Sequence, residues 1–198
     1  MYLPVGIQAT SAERILATAL DQFATKGYDA TSVREICEAA GITKPTLYHF
    51  FGSKDGVLQA LIQTGFQQYR ALVNTAMDTP GSLRDRVKVL ARAVFHSASS
   101  KPLFWRFIHS VIWAPPGTAL PQTESCTQFY DGVVGVLAAA ADKAVARGEI
   151  APGPTGARML VLMGAISEAA TGFVIAGKPE LTPELADDIV ETIFNGWQ

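Results

Sequence analysis

Residues 31–54 read TSVREICEAAGITKPTLYHFFGSK, which predicts two short helices joined by a tight turn and followed by the start of a third helix. Ser32 and Thr43 are suited to cap the first and second helices, because their hydroxyl oxygens can accept from backbone N–H groups of a first turn. Gly41 ends the first helix, where glycine can adopt a left-handed conformation at little cost. This arrangement is a helix-turn-helix, whose second helix can enter the major groove of DNA.

The second helix, residues 43–51, is expected to have two different faces. Leu47, Phe50 and Phe51 are predicted to point into a core. The opposite face carries hydrogen-bonding side chains, and the next helix opens with a lysine beside backbone N–H groups that attract phosphate. The candidate DNA-binding residues are Thr31, Ser32, Thr43, Lys44, Thr46, Tyr48, His49 and Lys54.

The run GITKPTLYHFFGSKDGVL, residues 41–58, resembles the DNA-binding signature of the TetR family of bacterial transcriptional regulators. Pro45 departs from the small residue that this family commonly has at that position. The resemblance implies an all-α chain of about nine helices. A helix-turn-helix DNA-binding domain of three helices would cover residues 1–53, and a continuous helix would join it to a ligand-binding and dimerisation domain over residues 54–198. The residues in the family register are Gly41, Thr46, Leu47, Tyr48, Phe51, Ser53, Lys54 and Leu58.

Bulk charge gives no sign of nucleic-acid binding, since the net charge is −2 over 198 residues. The DNA interpretation therefore depends on the local placement of Lys44, His49 and Lys54. Cys37 and Cys126 lack metal-ligand spacing and are typical of a reducing compartment. The N-terminus shows no basic region followed by an apolar stretch, so we expect a cytoplasmic protein.

Apolar residues at helical spacing predict further helices along the whole chain. The segment 102–113 is apolar nearly all round and is expected to be buried, and the proline-rich segment 114–121 is expected to be a loop. Val136 is expected to face inward on its helix. The predicted helices outside the central stretch cover residues 10–26, 53–76, 82–100, 102–113, 123–147, 155–177 and 183–196.

The stretch 159–177 is apolar and almost long enough to span a membrane. Glu168 near its centre would cost roughly 2.5–3.5 kcal/mol to insert, which favours a helix at a subunit interface instead. In the TetR family the last two helices pair with those of a second subunit. The resemblance therefore implies a homodimer through residues 155–177 and 183–196, with no membrane partner. The apolar contacts expected from the last helix are Ile189, Ile193, Phe194 and Trp197.

Aromatic side chains are concentrated in the middle helices beside a few polar groups, as in pockets for small molecules. The same aromatic residues could equally form an ordinary core. The resemblance implies an effector pocket in this region, and the aromatic walls favour a small, largely apolar effector. The candidate ligand-binding residues are Phe66, Trp105, His109, Trp113 and Phe129.

Catalysis has little support in the sequence. Motifs of hydrolases, nucleotide-binding loops and zinc proteases are missing from it, so we expect no enzyme, catalytic residue, metal or cofactor. The favoured interpretation is a ligand-responsive transcriptional regulator that binds double-stranded operator DNA. We expect a repressor, released from an inverted-repeat operator by its effector. The alternative is a helical small-molecule binding protein that does not bind DNA.

Overall fold

The computed structural model describes residues 10–112 and 124–196, and throughout these residues the regular structure is helical. The predicted all-α class is confirmed, and the helix bounds differ from the predicted ones by only a residue or two. The predicted loop at 114–121, the side chain of Cys126 and the residues Trp113 and Trp197 lie outside the described part of the chain. The helices are α1 (Ser11–Lys26), α2 (Val33–Ala40), α3 (Lys44–Phe51), α4 (Lys54–Asp78), α5 (Leu83–Ser100), α6 (Pro102–Ile112), α7 (Glu124–Ala146), α8 (Thr155–Ala176) and α9 (Pro183–Asn195).

The first three helices begin at side-chain caps, and those of α2 and α3 are the predicted Ser32 and Thr43. Thr10 and Ser32 each form a reciprocal capping box with the glutamate three residues later. Thr43 accepts from the backbone N–H of Thr46 at the start of α3. Gly41 ends α2 with a φ of 63°, a left-handed conformation in which a residue with a Cβ atom would be strained. Local chemistry thus sets the limits of the helix-turn-helix.

The chain divides into two compact units. The helix-turn-helix unit comprises the described residues 10–65 and 107–112, and the larger unit comprises 66–106 and 124–196. Helix α4 is continuous and contributes residues to both. The sequence-based domain limit at residues 53/54 stays a prediction of where the DNA-binding part ends.

The helix-turn-helix unit has a core built from one apolar stripe of each helix. The inward-facing side chains of α1, α2 and α3 meet there, and α1 contacts both other helices. The buried apolar residues of these three helices are Ile15, Ala19, Phe23, Ile36, Cys37, Ala40 and Leu47. This packing leaves the remaining faces of α3 available to a partner.

In the larger unit, α5 packs against α8 and α9, and α7 packs against α8. Arg84 and Lys88 of α5 pair with Glu191 of α9 at 3.0 and 2.5 Å, and Arg92 pairs with Asp187 one turn further along. The lysine hydrogen bond holds the pKa of Glu191 below its usual range, and the Arg92 hydrogen bond does the same for Asp187. Such partly exposed pairs contribute only about 0–1 kcal/mol each, so they align α9 with α5 more than they stabilise it.

The prediction that Phe194 serves a subunit interface is wrong. Its ring is buried in the core of the larger unit, and the Arg84 guanidinium lies 5.6 Å from the ring centroid. The apolar stripe of α9 is used within its own subunit because α5 lies against it. Ile189 and Ile193 are partly buried against the same core.

Helix α6 is not buried on all sides, contrary to prediction. Phe107 and Val111, one turn apart, are buried, whereas Leu103 and Ile112 are exposed. An apolar composition indicates that a helix can be buried but does not say how many of its sides have packing partners. Val136 of α7 was also expected to face inward, but it is exposed, because its apolar character does not guarantee a neighbour that covers it.

Candidate nucleic-acid interface and effector region

Helix α3 presents a polar surface on a short, firmly held scaffold. Leu47 is fully buried and anchors α3 in the core of the helix-turn-helix unit. The hydroxyls of Thr43 and Thr46 lie 2.9 Å apart at its first turn. Lys44 and His49 are exposed, so the helix offers cationic and hydrogen-bonding side chains to solvent. These groups are the types that bind phosphates and base edges.

Two aromatic side chains extend this surface. Tyr48 and Phe50 are both 48% exposed. The rings of Phe50 and His49 contact each other edge to face, with their centroids 5.2 Å apart. The prediction that Phe50 points into the core is therefore wrong. A helix of two turns buries only a narrow stripe, which Leu47 and the half-buried Phe51 occupy four residues apart.

The start of α2 is satisfied within the protein itself. Ser32 is the N-cap of α2, and its hydroxyl oxygen accepts from the backbone N–H of Glu35. In return, the Glu35 carboxylate accepts from the backbone N–H of Ser32 at 2.9 Å. Lys26 pairs with the same carboxylate at 2.8 Å. The hydrogen bond from Lys26, followed by those from Ser32, lowers the pKa of Glu35 to about 2. The carboxylate thus stands where a phosphate would otherwise be attracted, although Ser32 itself is exposed.

Two predicted DNA-binding residues have their polar groups engaged inside the unit. Thr31 is only 1% exposed, and its hydroxyl donates to the carbonyl oxygen of Gly27 at 2.8 Å. Its side chain cannot contact DNA in this conformation. The ammonium group of Lys54 donates to the carbonyl oxygens of Tyr28 and Thr31 at 3.0 and 2.9 Å. Sequence reasoning missed Tyr28, because its partners are distant in the chain.

The larger unit contains an aromatic cluster that includes two predicted ligand-binding residues. Phe66 and Phe129 stack with centroids 4.2 Å apart and planes 8° from parallel. Tyr69 lies edge-on to Phe129 at 5.7 Å, and the Arg70 guanidinium lies 5.7 Å from the same ring centroid. Burial raises the pKa of Tyr69 to about 12. Tyr69 and Arg70 were missed as candidates, although their spacing of three and four residues from Phe66 was a usable signal.

The other predicted ligand-binding residues are placed differently. The indole N–H of Trp105 donates to the Ser97 hydroxyl at 3.2 Å, and Trp105 is half-buried against the core of the larger unit. His109 belongs to the helix-turn-helix unit, and Trp113 lies outside the described residues. Phe66, Phe129 and Trp105 thus belong to the larger unit and His109 to the helix-turn-helix unit.

Helix α8 leaves part of its apolar surface uncovered. By length and composition alone it could cross a membrane, but a single helix of this kind is weak evidence for a span. Val161 is 61% exposed, with the exposed Leu160 beside it, and Ile175 near the end of the helix is 70% exposed. Monomers rarely expose large contiguous apolar surface, so this face is a candidate interface.

The comparisons with known sequences agree with this architecture. Residues 15–61 match the family model described as bacterial regulatory proteins, tetR family. The chain is 32% identical over 129 residues to the HTH-type transcriptional repressor KstR2 of Rhodococcus jostii, which covers 63% of this chain and 62% of that protein. It is 29% identical over 118 residues to the HTH-type transcriptional activator FasR of Mycolicibacterium smegmatis, which covers 58% and 54%. Each match thus spans less than two thirds of the relative's own length.

Solved structures share the fold along nearly the whole chain. The fatty acid degradation regulator FadR from Bacillus halodurans superposes with a TM-score of 0.80 at 19% identity, covering 96% of this chain and 97% of that one. FadR from Bacillus subtilis in complex with stearoyl-CoA gives a TM-score of 0.78 at 19% identity, covering 93% and 98%. At such identities the likeness shows the fold alone.

Proposed function

We propose that this chain, which belongs to the TetR family of bacterial regulatory proteins, is a ligand-responsive transcriptional regulator that binds operator DNA through α3. The observation that carries the proposal is the exposed polar face of α3, held on a capped helix-turn-helix. We infer a regulatory role in the cytoplasm rather than a catalytic one. Repression is the mode we propose, although the named relatives include both a repressor and an activator.

The proposed DNA contacts divide into positioning and base-reading groups. Thr43 and Thr46 lie at the first turn of α3, where hydroxyls and backbone N–H groups suit phosphate oxygens. Lys44, Tyr48 and His49 are exposed along the rest of the helix and suit base edges in the major groove. A duplex that matches these donors would bind more tightly than an arbitrary one.

We propose a homodimer through the uncovered face of α8, supplemented by α9. Val161 and Ile175 are the most exposed large apolar side chains of that face, and a two-fold axis would place the face against the partner's copy of the same surface. Ile189 and Ile193 stay in the proposed interface because they are only partly buried, whereas Phe194 is excluded. Two α3 helices would then read half-sites about 34–36 Å apart or a multiple of that distance, which requires an inverted-repeat operator.

The effector proposed here is a small, largely apolar molecule that binds beside the aromatic cluster. Stacked Phe66 and Phe129 supply apolar surface, and the Arg70 guanidinium supplies a nearby cation for a carboxylate or phosphate. A long acyl chain with an anionic head, as in the stearoyl-CoA held by one structural neighbour, has this chemistry. The effector would act by binding more tightly to the conformation that does not bind DNA.

Helix α4 is the proposed route of coupling, because Phe66 and Lys54 lie on the same continuous helix. A coupling free energy of roughly 1–3 kcal/mol would lower operator affinity by about 5–150-fold. The coupling is reciprocal, so operator DNA should weaken effector binding by the same factor.

Selection of duplexes from a random pool by the purified protein tests the proposed function. We expect enrichment of one inverted-repeat sequence, with an affinity that falls as salt rises because phosphate contacts release counterions. Absence of any enriched sequence over a range of salt concentrations would contradict the proposal. It would favour the alternative of a binding protein that does not contact DNA.

A further inference from the structure

The turn between α1 and α2 is fastened to the start of α4 by Lys54. Its ammonium group donates to the carbonyl oxygens of Tyr28 and Thr31, at 3.0 and 2.9 Å. An ammonium group has three N–H donors, so two of the three are committed to backbone acceptors. The Tyr28 carbonyl also accepts from the Thr31 N–H within the turn, so the lysine adds a second, charged donor to it and supplies a donor to the Thr31 carbonyl.

Tyr28 completes this arrangement from the other side. Its ring is buried, and the Lys54 nitrogen lies 4.1 Å from the ring centroid, within cation–π range. The Tyr28 hydroxyl donates to the carboxylate of Asp55. Burial, followed by the Asp55 hydrogen bond, raises the pKa of Tyr28, so the phenol keeps its proton and its hydrogen bond. We call Tyr28, Thr31, Lys54 and Asp55 together the Lys54 clasp.

The clasp acts on Thr31, the residue before the N-cap of α2. Thr31 is fixed by three hydrogen bonds, because its N–H donates to the Tyr28 carbonyl, its hydroxyl to Gly27, and its carbonyl accepts from Lys54. The next residue, Ser32, is the N-cap of α2. Where Thr31 is held, α2 begins, and Gly41 then sets the direction of α3. The clasp therefore ties the start of α2, the first helix of the helix-turn-helix, to the start of α4.

We propose that Lys54 is a positioning residue for DNA recognition, which locks the α1–α2 turn to α4, and that it is not itself a phosphate ligand. With two of its three N–H donors on backbone carbonyls and its nitrogen over the Tyr28 ring, the ammonium group has at most one donor left for a phosphate. Its importance to DNA binding rests on the proposed function, whereas its hold on the turn does not.

Hydrogen exchange on the protein without DNA tests the hold on the turn. Lys54→Met keeps an unbranched side chain but removes every donor. Exchange of the Thr31 amide should become about ten- to hundredfold faster, as expected when hydrogen bonds to a charged group are lost from a local structure. Lys44→Met is the matched control, because Lys44 is exposed on α3, and its Thr31 exchange should equal that of the wild type.

DNA binding by the same variants separates positioning from contact. Lys54→Met should weaken binding to the duplex selected by the wild type by about tenfold, with little change for a scrambled duplex and an unaltered salt slope. Lys54→Arg, which keeps a cation and several donors, should restore part of the preference. A loss of overall stability alone would not change this ratio of affinities in folded protein.

Two results would overturn the proposal. One is a salt slope lowered by about one unit in Lys54→Met, with unchanged exchange at Thr31, as for a direct phosphate contact. The other is an unchanged rate of Thr31 amide exchange in both Lys54→Met and Tyr28→Phe. Tyr28→Phe removes only the hydroxyl bond to Asp55, and its exchange rate decides the question if Lys54→Met does not fold. If no duplex can be selected, the proposed function fails, and the exchange result still decides whether the clasp holds the turn.

Discussion

A charge placed on the uncovered face of α8 should dissociate the proposed dimer. Val161 is 61% exposed in the subunit, and Val161→Glu replaces it with a carboxylate. Full burial of a valine contributes about 1.5–3 kcal/mol, so covering the exposed fraction would contribute about 0.9–1.8 kcal/mol in each subunit. A two-fold interface contains the residue once from each subunit, so the lost apolar burial alone would weaken dimerisation by about 2–4 kcal/mol.

That loss corresponds to a dimer dissociation constant raised by about 30- to 700-fold. An unpaired carboxylate in an apolar interface would add to it, since burying a charge without a partner is costly. Sedimentation equilibrium at micromolar concentration is the assay. The wild type should sediment as a dimer, and Val161→Glu should sediment largely as a monomer with its helix content retained.

Val136→Glu provides the matched control. Val136 is also an exposed valine on a helix of the larger unit, but it lies on α7, outside the proposed interface. The control should remain dimeric. A monomeric wild type, or equal dimerisation of the two variants, would refute the assignment of α8 as the interface.

Three further predictions concern the core, the first capped turn and the effector region. Leu47→Ala should lower the free energy of unfolding by about 2–5 kcal/mol in urea titrations, since Leu47 is fully buried, and a change well under 1 kcal/mol would contradict its role as the anchor of α3. Because the pKa of Glu35 is lowered to about 2, its pairing with Lys26 should stabilise the fold above the ordinary value of 4.5 and lose that effect as pH falls towards 2. The difference in thermal midpoint between the wild type and Glu35→Gln should therefore shrink over that interval, and a constant difference would refute the charge argument. Phe129→Ala should blunt the tryptophan fluorescence response to stearoyl-CoA while operator binding without ligand stays near normal; an undiminished response would contradict the effector site.

Local chemistry is the part of this structure that the sequence predicts well. Ser32 and Thr43 were identified as helix caps, and Gly41 as the end of α2, because each depends on partners within four residues. The helix bounds follow from the same short-range signals. These positions define the helix-turn-helix, which is why the family resemblance was visible in a single stretch.

Burial was harder to predict, because it depends on which neighbours a face meets. Phe50, Val136 and the outer side of α6 are apolar yet exposed, and no pattern within one helix distinguishes them from core residues. Phe194 shows the reverse case. Its spacing on α9 suits an interface, but α5 covers that face within the same subunit.

Contacts between distant segments could not be read from the sequence at all. Lys54 was assigned to phosphate because it opens a helix, and its actual acceptors lie 23 and 26 residues earlier in the chain. Thr31 was assigned to DNA by its place in the motif, whereas its hydroxyl is turned inward to Gly27. Phe66 and Phe129 were both named as candidate ligand residues, but only the folded structure shows that their rings stack.

A comparison of two tyrosine variants on the selected duplex tests the central claim most directly. Tyr48 of α3 and Tyr130 of α7 are exposed to nearly the same extent, at 48% and 50%, so removing either ring should disturb the fold little. Fluorescence anisotropy should show that Tyr48→Ala weakens binding by about 5- to 150-fold, as for the loss of a base contact, while Tyr130→Ala binds like the wild type. Equal affinities for Tyr48→Ala, Tyr130→Ala and the wild type would contradict the claim that α3 reads DNA.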